Sequence, residues 1–151
     1  MNYIDANFAI ALHFNIRTQT ELAAKFIRRN SRLCLLSDLA ELECRRAFIA
    51  ITGRIDSEPW IRFQTLISEG VWRRETIDWK QVFERSVQLT DRYGARFKSG
   101  ILDTVHIAQA LFAGATWFLS FDTNSNARVL AAKCGLKVYP QLTAVERVRL
   151  R

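Results

Sequence analysis

The sequence is short of the residues on which several chemistries depend: 151 positions hold three cysteines, two histidines, two prolines, six glycines and one methionine. Cys34, Cys44 and Cys134 are odd in number, show no Cys-x-x-Cys spacing and lie in apolar stretches. Free thiols there behave as small hydrophobes, which points away from a disulfide scaffold and toward a reducing, cytoplasmic compartment. With only His13 and His106 beside these scattered thiols, zinc has no ligand spacing to use. Neither G-x-G-x-x-G nor G-x-x-x-x-G-K followed by Ser or Thr occurs, so no glycine loop cradles a nucleotide phosphate. A serine or cysteine nucleophile lacks its elbow motif. No apolar run reaches the ~18 residues of a membrane span, and the first residues, MNYIDANFAI, lack the basic region and cleavage site of a secretory signal. The expectation is a soluble protein with no membrane partner.

What the sequence has in excess is positive charge: 22 Lys and Arg against 15 Asp and Glu, a formal +7, most of it arginine. Arginine's planar fork grips two phosphate oxygens at once, so nucleic acid is the leading class of partner, a solvated basic surface being the plainer alternative. The clusters that would hold a backbone are Arg28-Arg29-Arg32, Arg45-Arg46, Arg73-Arg74 and Arg92-Arg96-Lys98. An exposed tryptophan beside arginines could stack on an unpaired base. Core or dimer-interface packing is the other use of Trp60, Trp72 and Trp79.

The chain has the length of one domain with a core of its own. Short apolar runs at Tyr3-Ile4, 33–36, 116–121 and 136–139 alternate with helical patterns over 38–52, 59–68, 79–97, 101–113 and 124–134. That alternation predicts an α/β fold, a mainly parallel sheet covered by helices on both faces. Ser57 is the expected cap of the helix that opens at Pro59. Residues 71–78 read as edge strand or loop. The basic tail at 141–151 reads as a frayed helix, a phosphate contact or a partner-binding strand of the same domain as 1–140.

Four carboxylates fall where burial is expected. Asp5 and Asp122 each follow an apolar strand and precede a helix, the strand-end position at which open α/β sheets place their sites, with N-capping as the alternative. At about 100° per residue, Leu36, Leu39, Ala40, Ala47, Ala50 and Ile51 form one stripe, and Glu43 lies within it. Glu41 projects to the opposite face, with Arg45 as a surface partner. A buried ion pair with an arginine is the other reading of Glu43. Asp103 opens a helix that is apolar nearly all round and shares a face with His106, where the helix dipole alone would also favour it. His106 reads as a core histidine, or as a residue that orients a carboxylate or contacts substrate. Acids brought together repel, and that repulsion demands protonation or a cation; an all-oxygen donor set suits Mg2+ or Mn2+.

Tyr3-Ile4-Asp5-Ala6-Asn7, Glu43-Cys44-Arg45-Arg46-Ala47-Phe48, Leu102-Asp103-Thr104-Val105-His106-Ile107-Ala108 and Phe118-Leu119-Ser120-Phe121-Asp122, in that order and with Gly135-Leu136-Lys137-Val138 near the end, resemble the signature segments of PIN-domain ribonucleases, in particular the VapC-type toxins of toxin–antitoxin pairs. The resemblance runs from residue 3 to about 139. It implies a three-layer α/β/α sandwich and metal-binding acids at Asp5, Glu43, Asp103 and Asp122. Asn7 and Ser120 match the small polar positions beside the first and last acids. It also implies a Mg2+- or Mn2+-dependent endoribonuclease that hydrolyses RNA through a metal-activated water, a homodimer, and a cognate antitoxin that blocks the site. The competing readings are a PIN-like RNA-binding or scaffold module without catalysis, a DNA nuclease with a similar acidic site, and a phosphatase with a nucleophilic Asp5. The last would want a second aspartate where Asn7 stands.

Overall fold

The computed structural model describes residues 1–30 and 33–151, so Arg32 of the first arginine cluster lies outside the described residues. The chain runs β1 (Asn2–Ile4), α1 (Ala6–His13), α2 (Arg17–Arg29), β2 (Cys34–Leu36), α3 (Asp38–Thr52), α4 (Glu58–Ser68), β3 (Trp72–Arg74), α5 (Trp79–Phe97), α6 (Ile101–Phe112), β4 (Trp117–Leu119), α7 (Ala127–Lys133), β5 (Lys137–Tyr139) and α8 (Ala144–Leu150). The five strands form one parallel sheet in the order β3-β2-β1-β4-β5.

The strands are three residues long, and their side-chain alternation separates two cores. Tyr3 pairs in register with Leu35 and Phe118, and these three point to the face covered by α5, α6 and α7, against Val82, Leu89, Ile107 and Val129. Ile4, Leu36 and Leu119 point the other way, onto Phe8, Phe26, Phe48 and Phe63 of α1 to α4. A parallel sheet buried on both faces needs apolar residues at consecutive positions, which is why these runs show no polar alternation. The three-layer sandwich expected from the sequence is the observed architecture.

Residues 71–78 hold both of the forms expected of them, the edge strand β3 at Trp72–Arg74 and a loop over 75–78. Other expectations need correction, and α2 is a separate element that the sequence reading did not isolate. Helix α7 starts at Ala127 because residues 122–125 are spent on a turn around the Asp122 carboxylate, which accepts from the amides of Asn124 and Ser125 at 2.8 and 3.2 Å. Ser57 stands at the N-cap of α4, yet its side chain makes no capping bond. The buried face of α3 is Ala40, Cys44 and Phe48, with Ala50 and Ile51 exposed, because the helix packs chiefly against α1 and buries only one flank. Gly53 ends α3 in the left-handed region at φ 67°, a conformation that costs a residue without Cβ nothing in sterics.

His13 closes α1 inside an aromatic box, its ring centroid 5.5 to 5.7 Å from those of Phe48, Phe63 and Trp72. Burial and the nearby Arg62 push its pKa down to about 4, and its Nε2 has no hydrogen-bond partner among the described residues. The unfolded chain therefore binds a proton between about pH 6.5 and 4 that the folded chain refuses. This contribution to stability is complete above the unfolded pKa and is lost as pH falls toward 4. Denaturant titrations of the wild type and His13→Leu from pH 7.5 to 4.5 should show a smaller acid loss in the variant, by on the order of 2 kcal/mol; parallel pH profiles would contradict the assignment.

Candidate metal centre

The chain order of the strands reverses beside β1, since β2 lies on one side and β4 on the other. Such a switch point opens a crevice at the carboxyl ends of the two central strands. Asp5 follows β1 directly and Asp122 lies three residues past β4, so both aspartates stand at this crevice. Helix α3 brings Glu43 and α6 brings Asp103 and His106 to the same place. A cavity of about 800 Å³ results, lined by all four acids together with Asn7, Arg46 and His106.

Within it, ligand atoms of Asp5, Glu43 and His106 lie within 4.8 Å of one another. Asp103 and Asp122 line the same cavity but stand outside this group, each turned toward backbone amides. The Asp103 carboxylate accepts from Gly100 N at 3.1 Å, and Asp122 closes its turn onto Asn124 and Ser125. Asp5 is 8% exposed; its Oδ1 accepts from Ala6 N at 2.7 Å and its Oδ2 from Asn7 Nδ2 at 2.8 Å. Asn7 in turn accepts from Phe121 N at 2.7 Å and from Ser120 Oγ at 3.3 Å, while Ser120 Oγ accepts from Asp122 N at 3.2 Å. Asn7 and Ser120 thus tie the loop of the first acid to the loop of the last. Ser120 itself is buried beneath the cavity and does not line it.

Among the described residues no arginine pairs with Glu43. Its Oε2 accepts from His106 Nε2 at 2.9 Å, and His106 Nδ1 lies 2.7 Å from the Tyr3 hydroxyl. Tyr3 donates to Gln109 Oε1 at 2.7 Å and lies 2.8 Å from Ser37 Oγ, the N-cap oxygen of α3. His106 thus spans Glu43 and Tyr3 through its two ring nitrogens. Burial lowers the pKa of His106, but the hydrogen bond to Glu43 and the charges of Asp5, Glu43 and Asp103 outweigh it and raise the net value. Glu41 is turned away from the cavity, as expected, but its partner is Arg74 and not Arg45: Arg74 Nε and Nη2 reach its two oxygens at 2.8 and 2.5 Å. Arg45 is drawn off to the carbonyl of Ile55 and the ring of Trp60.

The donor set fits a hard divalent cation. Burial pushes the carboxyls of both Asp5 and Asp103 above their ordinary range, Glu43 adding to the first and Asp122 to the second. The cavity is therefore short of positive charge, and its free donor atoms are carboxylate oxygens, the set that Mg2+ and Mn2+ prefer. His106 lies between Glu43 and Tyr3, with Nε2 2.9 Å from the carboxylate, and so orients Glu43.

The PIN domain profile matches residues 3–130. The chain belongs to the PIN-domain family. Among solved structures, this PIN domain resembles VapC20 of Mycobacterium tuberculosis, a toxin that cleaves the sarcin-ricin loop, with a TM-score of 0.69 at 17% identity over 93% of this chain and 100% of that one. At that identity the likeness speaks for the fold. Comparison with curated proteins returns no match.

Four residues escaped the sequence reading. Tyr3, Ser37 and Gln109 form the hydrogen-bond chain behind His106, and a buried Tyr hydroxyl or Gln in an apolar strand or helix is the only signal that announces them. The fourth is Arg128, 1% exposed on α7. Its Nη1 donates to Ser120 O at 2.5 Å, its Nε to Glu146 Oε1 at 2.8 Å, and its Nη2 to the carbonyls of Pro140 and Gln141 at 2.9 and 3.1 Å. The basic C-terminal segment thus forms α8, capped by Thr143 and pinned to the strand end that carries Asp122. Removing one member of a buried pair leaves a charge without compensation. Glu146→Ala should lower unfolding free energy by about 3–5 kcal/mol in urea denaturation, and a loss under about 1 kcal/mol would show that solvent already screens the pair.

Proposed function

We propose that this PIN-domain protein is an Mg2+- or Mn2+-dependent endoribonuclease, the toxin of a toxin–antitoxin pair, working as a homodimer held in check by a cognate antitoxin. The observation that carries the reading is the 800 Å³ cavity at the switch point, where four carboxylates meet with Arg46 at the rim. Asp5 and Glu43 would hold the cation, with Asp103 and Asp122 completing the donor set or holding a second ion. A divalent cation bound there lowers the pKa of a water and stabilises charge on the phosphate oxygens of the scissile bond.

The chain's own residues do the positioning. Asn7 donates to one Asp5 oxygen and the Ala6 amide to the other, so the carboxylate is held in a fixed orientation in the cavity wall. His106 fixes Glu43 in the same way, its ring itself held by Tyr3 at the other nitrogen. Arg46 offers the cavity's one cationic side chain on α3 to a phosphate, whose sequence-independent attraction for basic groups supports a nucleic-acid substrate. A single strand fits better than a duplex, because an unpaired backbone can be drawn into a pocket at a strand edge. Three free cysteines agree with a reducing cytoplasm, and among the described residues no helix is long and apolar enough to cross a membrane.

The test pairs cleavage with binding. Labelled single-stranded RNA should be cut with Mg2+ or Mn2+ and spared with chelator, and DNA of the same sequence should survive. Outer ligands of metal sites commonly matter by 10–100-fold, so Glu43→Gln should cost about 100-fold or more in cleavage. The same variant should lose the rise in melting temperature that Mn2+ gives the wild type. Wild-type cleavage by Glu43→Gln would remove Glu43 from the site. Cleavage of DNA alone, or of neither polymer, would sink the ribonuclease reading.

A further inference from the structure

Helix α3 separates two cavities. Leu39, Glu43, Arg46 and Ala47 face the metal centre, whereas Asp38, Glu41 and Arg45, at i, i+3 and i+7, face a second cavity of about 390 Å³ that Trp60 and Arg74 complete. Leu42, 66% exposed, is the ridge common to both. Arg74 ends β3, so the second cavity opens at the same carboxyl edge of the sheet, on the β3 side.

We propose that this second cavity is a base-binding subsite for an unpaired nucleotide flanking the cleavage point, selective for bases that carry an exocyclic amino group. The proposal rests on the RNA-cleavage reading for its substrate, not for its geometry. Arg45 is a prepared platform: its guanidinium lies 4.5 Å over the Trp60 ring and its Nη1 donates to Ile55 O at 2.5 Å. Trp60 is itself stacked on Phe63, with ring centroids 5.0 Å apart and planes at 15°. A ligand ring therefore stacks on the open plane of Arg45, a contact that single-stranded RNA bases make readily.

Charge tells base from phosphate. Two carboxylates and two guanidiniums line the cavity, and Glu41 neutralises Arg74 through a bidentate pair steadied by Gln64 Nε2 at 3.4 Å. A phosphate finds no net positive field there and meets Asp38. A base edge with an amino group instead gives Asp38 a donor, as cytosine N4 does to acidic side chains elsewhere. Uracil presents a carbonyl at that position and is disfavoured.

The experiment is fluorescence anisotropy in EDTA with fluorescein-labelled hexamers of cytidine and of uridine, which differ at that edge without differing in ring size. Wild-type protein should bind the cytidine hexamer about fivefold or more tightly than the uridine one. Asp38→Ala should bring that ratio close to one, and Arg45→Lys, which keeps the charge but loses the planar stack, should weaken both. Circular dichroism of each variant confirms that it is folded. Equal affinity in the wild type, or a preference that survives both substitutions, overturns the subsite. So does failure to bind either hexamer, which would leave the cavity to a protein partner. Discrimination without Mg2+-dependent cleavage upholds the subsite and removes the nuclease reading; cleavage without discrimination does the reverse.

Discussion

Negative charge gathered between the ends of β1 and β4 is the constraint to which the surrounding structure answers. Two aspartates arrive on the sheet, a glutamate and a third aspartate arrive on helices that cross its edge, and water is partly excluded from all of them. Burial and mutual repulsion raise the proton affinity of Asp5 and Asp103. The fold compensates with hydrogen-bond donors at fixed positions: the amides of Ala6, Gly100, Asn124 and Ser125, the carboxamide of Asn7 and the imidazole of His106. Donors reduce the cost without filling the space between the carboxylates. Acids gathered in this way form the kind of cluster that a hard metal ion can neutralise.

Two buried chains of polar contacts transmit position into this cluster. From one side of the sheet Tyr3 joins Ser37, Gln109 and His106, so the cap of α3, the middle of α6 and the first strand meet on one hydroxyl before His106 reaches Glu43. From beyond β4, Glu146 orients Arg128, Arg128 holds the carbonyl of Ser120, and the side chain of Ser120 touches Asn7 and the amide of Asp122. Networks of this kind are costly when one partner is missing and rigid when all are present. They couple α8 to the acidic cluster.

Helix α3 turns one amphipathic segment to three purposes. Ala40, Cys44 and Phe48 bury it on the sheet; Glu43 and Arg46 serve the acidic cavity; Glu41 and Arg45 serve the cavity beside it. Neighbouring arginines that look equivalent in the sequence are separated by about 100° of helix rotation, enough to send Arg46 to the carboxylates and Arg45 to Trp60.

Much of this was legible before the fold. Apolar runs of strand length alternating with helical periodicity imply a parallel sheet between helices, because only such a sheet buries consecutive residues on both faces. Strand-end placement marked Asp5 and Asp122, and helical rotation told Glu43 from Glu41, since these follow from local geometry alone. The order of four acidic segments pointed to PIN domains. Tertiary structure decided the rest, because it depends on pairs distant in sequence. The partner of Glu43 is 63 residues away, which is why it proved to be His106 and not an arginine. Arg74 displaced Arg45 as the partner of Glu41 from 33 residues away. A basic tail became a helix locked by Glu146 onto Arg128, 18 residues distant. Periodicity reports which way a side chain points; only the packed fold reports what it meets there.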